Sequence, residues 1–235
     1  MDIEDQAMVF ATINLAQTKV TKSLVYDLYE YTRARSPQKT SHNIARLLNS
    51  KDGSPFLNRI KILGTAESEF RQIQILTQAT FVEALIKYIS GKNQRALEDR
   101  NLLKQNKKPE RAGAEETREL IFRNMFLDKK DAEIAKVVWN YFSAVQERWP
   151  NSWNNLETTG NILPRTNGFR SLMRLLPAVY NKLGGAGNIP VQKDFLGLFK
   201  RIPLKDGEFT SDRFLPGSSG EGGLYSQLAE GLNSQ

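Results

Sequence analysis

Apolar residues recur at three- and four-residue intervals over much of this chain, a spacing that lines up one face of an α-helix. The longest run consists of Ile134, Val137, Val138, Tyr141, Phe142, Val145 and Trp149. It predicts a helix of about five turns. A shorter run follows Thr77, whose hydroxyl can accept a hydrogen bond from a backbone N–H of the first turn. Most of the fold is therefore expected to be helical.

Two short segments have a different period. Side chains in 59–64 and in 71–75 alternate between polar and apolar, as in a strand with one buried face. Residues 66–68 lie between them, so we expect the two segments to pair as a hairpin. Together with the helical spacing, this predicts an α+β fold that is mostly α-helical with a small β element.

Helix boundaries are expected at residues that cap helices and at prolines. Thr21 or Ser23 is expected to begin one helix. Pro37 is expected to end the segment that follows, because the residue before a proline disfavours the helical conformation. Thr40 or Ser41 would then begin the next helix.

Two later segments contain residues that interrupt helices. Pro177 lies inside an apolar stripe that runs from 169 to 183, and because proline has no amide N–H we expect it to kink or restart that helix. The Gly-Ser-Ser-Gly sequence at 217–220 lacks the Gly-Lys-Ser/Thr ending of a phosphate-binding loop. We expect it to be a flexible linker.

A change of composition divides the chain into three parts. Residues 91–114 contain few apolar side chains and include Pro109 and Gly113. We expect an exposed connection there, between an α/β portion at 1–90 and a helical region at 115–235.

Composition also limits the chemistry that we expect. The sequence has no cysteine and a single histidine, His42, which leaves too few nitrogen and sulfur ligands for a zinc site of the usual kind. We therefore expect no catalytic site, no metal and no cofactor, and a structural role for His42. The sequence has neither a signal peptide nor an apolar run of about 20 residues, so we expect a cytoplasmic protein without a membrane partner.

Net charge indicates the kind of partner. The chain has 33 basic and 26 acidic residues, a formal charge of +7 and a pI of about 9.5. A field of this sign attracts polyanions, and nucleic acid is the commonest of them. The helical spacing of Ile3, Ala7, Phe10 and Ile13 predicts a helix at the start of the sequence. A basic group follows that helix, and it comprises Lys19, Lys22, Arg33, Arg35 and Lys39. A second group lies in the predicted connection and comprises Lys92, Arg95, Lys104, Lys107, Lys108 and Arg111.

Such groups bind phosphates by releasing counterions, although a solvated loop would have the same composition. Asn14 and Gln17 lie just before Lys19, where a predicted helix ends. Their side chains can contact a phosphate or a base edge there, or they can cap the helix.

Four sequence blocks resemble one known family. They are MVFATINLAQTKVTKSLVYDLYE, SPQKTSHNIARLLN, SPFLNRIKILG and LTQATFVEALIKYI, all within residues 8–90. In this order they resemble the rear part of the DGQHR-domain family, whose members accompany bacterial DNA-modification systems and include the DndB-like regulators of DNA phosphorothioation. The Asp-Gly-Gln-His-Arg signature is not in the sequence, so the resemblance implies a form that lacks the N-terminal segment.

The resemblance implies a fold and a function. Residues 1–90 would be the remnant of a ParB-like α/β domain, and the chain would bind DNA or regulate DNA modification without catalysis of its own. Its partners would be DNA and subunits of a modification complex. The expected nucleic-acid-binding residues are Asn14, Gln17, Lys19, Lys22, Arg33, Arg35 and Lys39. The alternative is a helical protein-interaction module that binds other subunits of a DNA-modification or defence complex.

Overall fold

A computed structural model describes residues 21–67, 69–70 and 72–233. These residues are mostly helical, as predicted. The α-helices are α1 (Lys22–Asp27), α2 (Pro37–Ser50), α3 (Gln78–Ser90), α4 (Asn93–Lys104), α5 (Arg123–Leu127), α6 (Asp131–Arg148), α7 (Pro150–Asn154), α8 (Thr166–Lys182), α9 (Gln192–Phe199) and α10 (Ser218–Asn233). Short 3-10 helices lie at Leu28–Tyr31 and Glu116–Arg118. No helix in this part of the chain is both long and apolar enough to cross a membrane.

The small β element is present, but its topology differs from the predicted hairpin. Strand β1 (Ile60–Lys61) pairs in parallel with β2 (Leu76–Thr77). The hairpin prediction was wrong because the chain turns back before the second strand begins. Backbone hydrogen bonds from Phe70 N–H to Glu67 and from Gln74 N–H to Phe70 form turns between the strands. The chain thereby comes back to the start of β1, and β2 then runs in the same direction as β1.

Two helices begin at capping residues that the sequence predicted. Thr21 caps α1 and Thr77 caps α3, each by accepting an N–H bond from its first turn. The start of α2 differs, because Ser36 is its N-cap and accepts a 3.0 Å hydrogen bond from the Lys39 N–H. Pro37 is thus the first helical residue, a position where its missing N–H costs nothing.

Aromatic rings from distant parts of the sequence meet in the core. The ring of Phe56 lies 5.3 Å from Phe81, 4.7 Å from Phe142, 5.7 Å from Trp153 and 6.0 Å from Phe169, centroid to centroid and edge to face. Edge-to-face pairs of this separation stabilise a core beyond the apolar area that they bury. Buried residues before 91 and after 114 therefore share one hydrophobic core. The predicted division of the chain at 91–114 stays a prediction.

Helix α8 continues through Pro177, so it does not restart there, and the predicted kink stays a prediction. An amide at position 177 would bond to the carbonyl of Met173, one turn earlier, and proline cannot supply it. The hydroxyl of Tyr88 on α3 donates a 2.5 Å hydrogen bond to that carbonyl instead. A side chain from another helix thus satisfies the carbonyl that the proline leaves unpaired, which offsets one of the costs of a proline inside a helix.

Residues 217–220 are not the flexible linker that we expected. Helix α10 begins at Ser218, and Gly220 is buried inside its first turn. A Cβ atom on Gly220 would lie 1.7 Å from the carbonyl oxygen of Leu215. The glycine is therefore required by a close approach of backbone to backbone.

Candidate nucleic-acid interface

A cleft of about 870 Å³ lies where the segment after α1 approaches the end of α4 and the turn after α5. Its lining includes the apolar residues Ala34, Leu103, Pro109 and Leu127. The basic residues that line it are Arg33, Arg35, Lys104, Lys107, Lys108, Arg111 and Lys129. The cleft thus unites members of both basic groups seen in the sequence.

The cleft concentrates nearly all of the excess positive charge of the chain. Its lining has seven basic residues and one acidic residue, Asp128. The whole chain has 33 basic and 26 acidic residues, so the residues outside the lining number 26 basic and 25 acidic. Since the rest of the chain is close to neutral, a long-range positive potential is expected to centre on this cleft.

Arg35 is held in place at one side of the cleft. Its guanidinium forms an ion pair with Asp131 and lies 4.0 Å from the ring centroid of Phe126. Asp131 also accepts a 3.0 Å hydrogen bond from the Thr40 hydroxyl. These contacts fix Arg35, and its positive charge is partly offset by Asp131.

Arg111 is paired inside the cleft as well. Its Nη1 and Nη2 donate to the two carboxylate oxygens of Asp128 at 2.5 and 3.1 Å. The hydrogen bonds from Arg111 hold the pKa of Asp128 below its usual range, and the carboxylate in turn raises the pKa of Arg111. Asp128 is therefore ionised near neutral pH and offsets one of the seven cations.

Three exposed lysines give the cleft its available charge. Lys107, Lys108 and Lys129 form no ion pair with any residue in the described part of the chain. Lys129 has a positive φ of 61°, which turns the chain sharply after α5. Such lysines present ammonium groups to solvent at no cost in broken contacts, so they are the most suitable phosphate ligands of the lining.

A buried ion pair anchors the wall of the cleft. Arg123 on α5 donates to both carboxylate oxygens of Asp99 on α4, at 2.9 and 3.1 Å. Its Nε also donates a 2.8 Å hydrogen bond to the carbonyl of Glu110. Ser90 donates to Asp99 at 2.6 Å. This network attaches the basic segment that follows α4 to the core.

The backbone after that segment is held by a second residue of α5. The amide of Asn124 exchanges two hydrogen bonds with the backbone of Ala112, at 3.0 and 3.1 Å. Residues 91–114, predicted as an exposed connection, thus contain a helix and are fixed at Asp99, Glu110 and Ala112. Lys107 and Lys108 therefore project from a supported backbone.

The predicted binding residues have different surroundings. Arg33 and Arg35 line the cleft. Lys22 lies outside its lining and forms a 2.7 Å ion pair with Glu83, and Lys39 donates a hydrogen bond to the carbonyl of Thr32. Asn14, Gln17 and Lys19 lie outside the described residues.

The second basic group is also divided by the structure. Lys104, Lys107, Lys108 and Arg111 line the cleft, while Lys92 and Arg95 do not, and Arg95 pairs with Glu116. Lys129 also lines the cleft, but it was not predicted, because it belongs to neither of the two basic groups in the sequence. The sequence around Lys129 contains no glycine or proline to signal the turn that brings this residue to the cleft.

His42 lies in the core, in surroundings that are compatible with the structural role that we expected. It is fully buried on α2, and its Nδ1 is hydrogen-bonded to the side-chain amide of Gln78. Burial, with help from the charge of Arg46, lowers its pKa to about 4. The ring is therefore neutral at pH 7.

Comparison with known proteins gives no further guide to this cleft. No protein-family model matches the chain, and no match was found among curated proteins or solved structures.

Proposed function

We propose that this protein binds DNA through the basic cleft, and that it acts as a DNA-modification-associated binding or regulatory protein in the cytoplasm. The observation that carries the proposal is the concentration of seven basic residues in one cleft of a chain that is otherwise close to neutral. The link to DNA modification rests on the resemblance to the DGQHR-domain family. We also propose, on the same resemblance, that residues 1–90 have a ParB-like origin.

The basic residues of the cleft are suited to contact the phosphate backbone of DNA rather than its bases. Lys107, Lys108 and Lys129 are flexible point charges, and Arg111 is already engaged by Asp128. A lysine binds a phosphate by displacing condensed counterions, which gives affinity without sequence preference. The proposed binding is therefore dependent on salt and largely independent of sequence.

A salt titration tests the proposal directly. Double-stranded DNA of random sequence is titrated with the protein at several salt concentrations. If the three exposed lysines each contact one phosphate, the logarithm of affinity should fall with the logarithm of salt with a slope of about −2.7. The absence of binding, or affinity that does not change with salt, would remove the proposal.

Matched variants locate the contact. The double variant Lys107→Gln and Lys108→Gln should reduce the steepness of that slope by about 1.8, which is the share of two phosphates. The control is Lys193→Gln with Lys200→Gln, two exposed lysines outside the cleft lining. Equal losses in the two double variants would indicate diffuse attraction by net charge and would overturn the assignment to the cleft.

A second experiment separates the cleft from the residues predicted by sequence. Lys22→Gln removes a cation that is already paired with Glu83 at the surface, outside the lining. We expect it to change DNA affinity much less than the double variant at 107 and 108. A larger effect at Lys22 would place the interface beside α1 instead.

The alternative function, a helical protein-interaction module, has less support. The large exposed apolar side chains in the described ranges lie on different helices and loops, and they are Tyr31, Leu47, Leu63, Leu97, Val191 and Leu215. Single exposed apolar residues are normal for a protein surface and do not indicate an interface. This alternative therefore stays a prediction.

A further inference from the structure

Three potential metal ligands converge outside the cleft lining. One carboxylate oxygen each from Asp27 and Glu30 and one ring nitrogen of His42 all lie within 4.8 Å of one another. Asp27 ends α1 and Glu30 follows three residues later, in the 3-10 helix, a spacing that puts both side chains on one side. His42 approaches them from α2.

His42 supplies a buried ring nitrogen that has no partner. Its Nε2 is inaccessible to solvent and forms no hydrogen bond within the residues that the structure describes. Buried polar atoms nearly always have a partner, so an unpaired nitrogen on a ring that approaches two carboxylates points to a missing ligand.

Gln78 is placed to orient the ring for coordination. Its side-chain amide contacts His42 Nδ1, and its own Oε1 is buried without a hydrogen bond from the described residues. A half-turn of the amide exchanges its oxygen and nitrogen. The oxygen would then accept the Nδ1–H, which leaves the lone pair on Nε2, the arrangement usual for histidines that bind metals.

A positive side chain now pairs with one of the two carboxylates. Arg46, one turn beyond His42 on α2, forms an ion pair with Glu30. Lys39, on the other side of His42 along the helix, donates to the Thr32 carbonyl. Arg46 is thus the cation that a metal ion would have to displace from Glu30.

We propose that Asp27, Glu30 and His42 bind a divalent transition-metal ion of the zinc class. Two carboxylate oxygens and one imidazole nitrogen form a three-ligand set that leaves a position for water. Ligand distances of about 2.0–2.2 Å require the donor atoms to draw together, and the exposed Glu30 side chain can move once Arg46 is displaced. Mg²⁺ prefers an octahedral shell of oxygen and is not expected to compete.

The single histidine makes the site directly observable. His42 is the only histidine of the chain, so an untagged, ¹⁵N-labelled protein has one imidazole and no background. Titration with ZnCl₂ after chelator treatment should shift the Nε2 resonance and saturate at one ion per chain. An Nε2 resonance that does not move, or heat of binding that does not saturate, overturns the proposal. Mg²⁺ should leave the resonance unchanged.

Substitutions identify the carboxylates without disturbing the buried ring. Asp27→Asn and Glu30→Gln each keep the size of the side chain and should weaken Zn²⁺ binding about tenfold or more, measured by calorimetry. Arg46→Gln should strengthen it about fivefold, the factor that corresponds to an exposed ion pair of about 1 kcal/mol. The control, Glu115→Gln, removes another exposed carboxylate that is paired with an arginine.

Circular dichroism establishes that each variant is folded, and having two carboxylate variants keeps the test valid if one of them unfolds. Zn²⁺ affinity that is equal in Asp27→Asn, Glu30→Gln and Glu115→Gln would place any bound metal elsewhere and overturn the assignment.

Discussion

The hydroxyl of Tyr88 donates a 2.5 Å hydrogen bond to the backbone carbonyl of Met173, the group for which Pro177 has no amide. Both partners are buried in the core between α3 and α8. We therefore expect Tyr88 and Pro177 to be energetically coupled, although they lie 89 positions apart in the sequence.

Tyr88→Phe should destabilise the protein by about 1–3 kcal/mol, because it leaves a buried carbonyl without a donor. In the Pro177→Ala background the same change should cost less, since the new amide at 177 can bond to Met173. Chemical denaturation of the four proteins of this double-mutant cycle measures the difference. An equal cost in both backgrounds would show that Tyr88 acts by packing alone.

The buried ion pair between Asp99 and Arg123 predicts a second large effect. Asp99→Asn should cost about 3–5 kcal/mol in unfolding free energy, because it leaves the guanidinium buried without its counter-charge. Arg118→Gln breaks the exposed pair with Glu115 and serves as the control, with an expected cost below about 1 kcal/mol. Urea denaturation compares the two, and similar costs would contradict the importance of burial.

Two glycines in α10 should respond to alanine with opposite signs. A Cβ on Gly220 would overlap the Leu215 carbonyl, whereas a Cβ on Gly222 would meet nothing within 4 Å. Gly220→Ala should therefore destabilise the protein, and Gly222→Ala should stabilise it by up to about 1 kcal/mol through its higher helix propensity. Thermal unfolding of both variants is the measurement, and a loss of stability at both positions would contradict this account.

Asp206 should make stability depend on pH in the acid range. Its carboxylate accepts N–H bonds from Asn151 at 2.8 Å and Ser152 at 2.7 Å, in the first turn of α7. Partial burial alone would raise its pKa, but the hydrogen bonds from Ser152 and Asn151 outweigh that effect and lower it. A lowered folded-state pKa means that the stabilisation is present above the unfolded pKa of about 3.9 and is lost as pH falls through the folded value.

Asp206→Asn should remove that part of the pH dependence and cost about 0.5–1 kcal/mol at pH 7, toward the low end of helix-cap effects because the site is partly exposed. Denaturation at pH 7 and below pH 4 is the measurement. The difference between wild type and variant should shrink at the lower pH, and a constant difference would contradict the role of the charge.

The helical part of the fold was predictable because its signals are local. The apolar stripe of 134–149 predicted α6 (Asp131–Arg148), and Thr77 predicted the start of α3. Helix α4 was missed because its residues are mostly polar, and it is buried at only two positions, the small residue Ala96 and the charged residue Asp99. The parallel pairing of β1 and β2 was missed because alternation does not report strand direction.

The candidate site was predictable only in part, for a similar reason. Charge clusters indicated Arg33, Arg35, Lys107 and Lys108, but nothing in the sequence shows that the cleft brings them together or that Lys22 is paired elsewhere. The cluster of Asp27, Glu30 and His42 was missed because the sequence analysis counted only histidine and cysteine as metal ligands and left out the carboxylates.

The ring of Phe56 has a consequence for how the chain is made. Two of its partners, Phe142 and Phe169, lie 86 and 113 positions later, so the centre of the core cannot close while the ribosome is still adding the middle of the chain. Nascent chains that end before α8 should expose this aromatic surface, and they are the species in which we expect chaperone capture during synthesis.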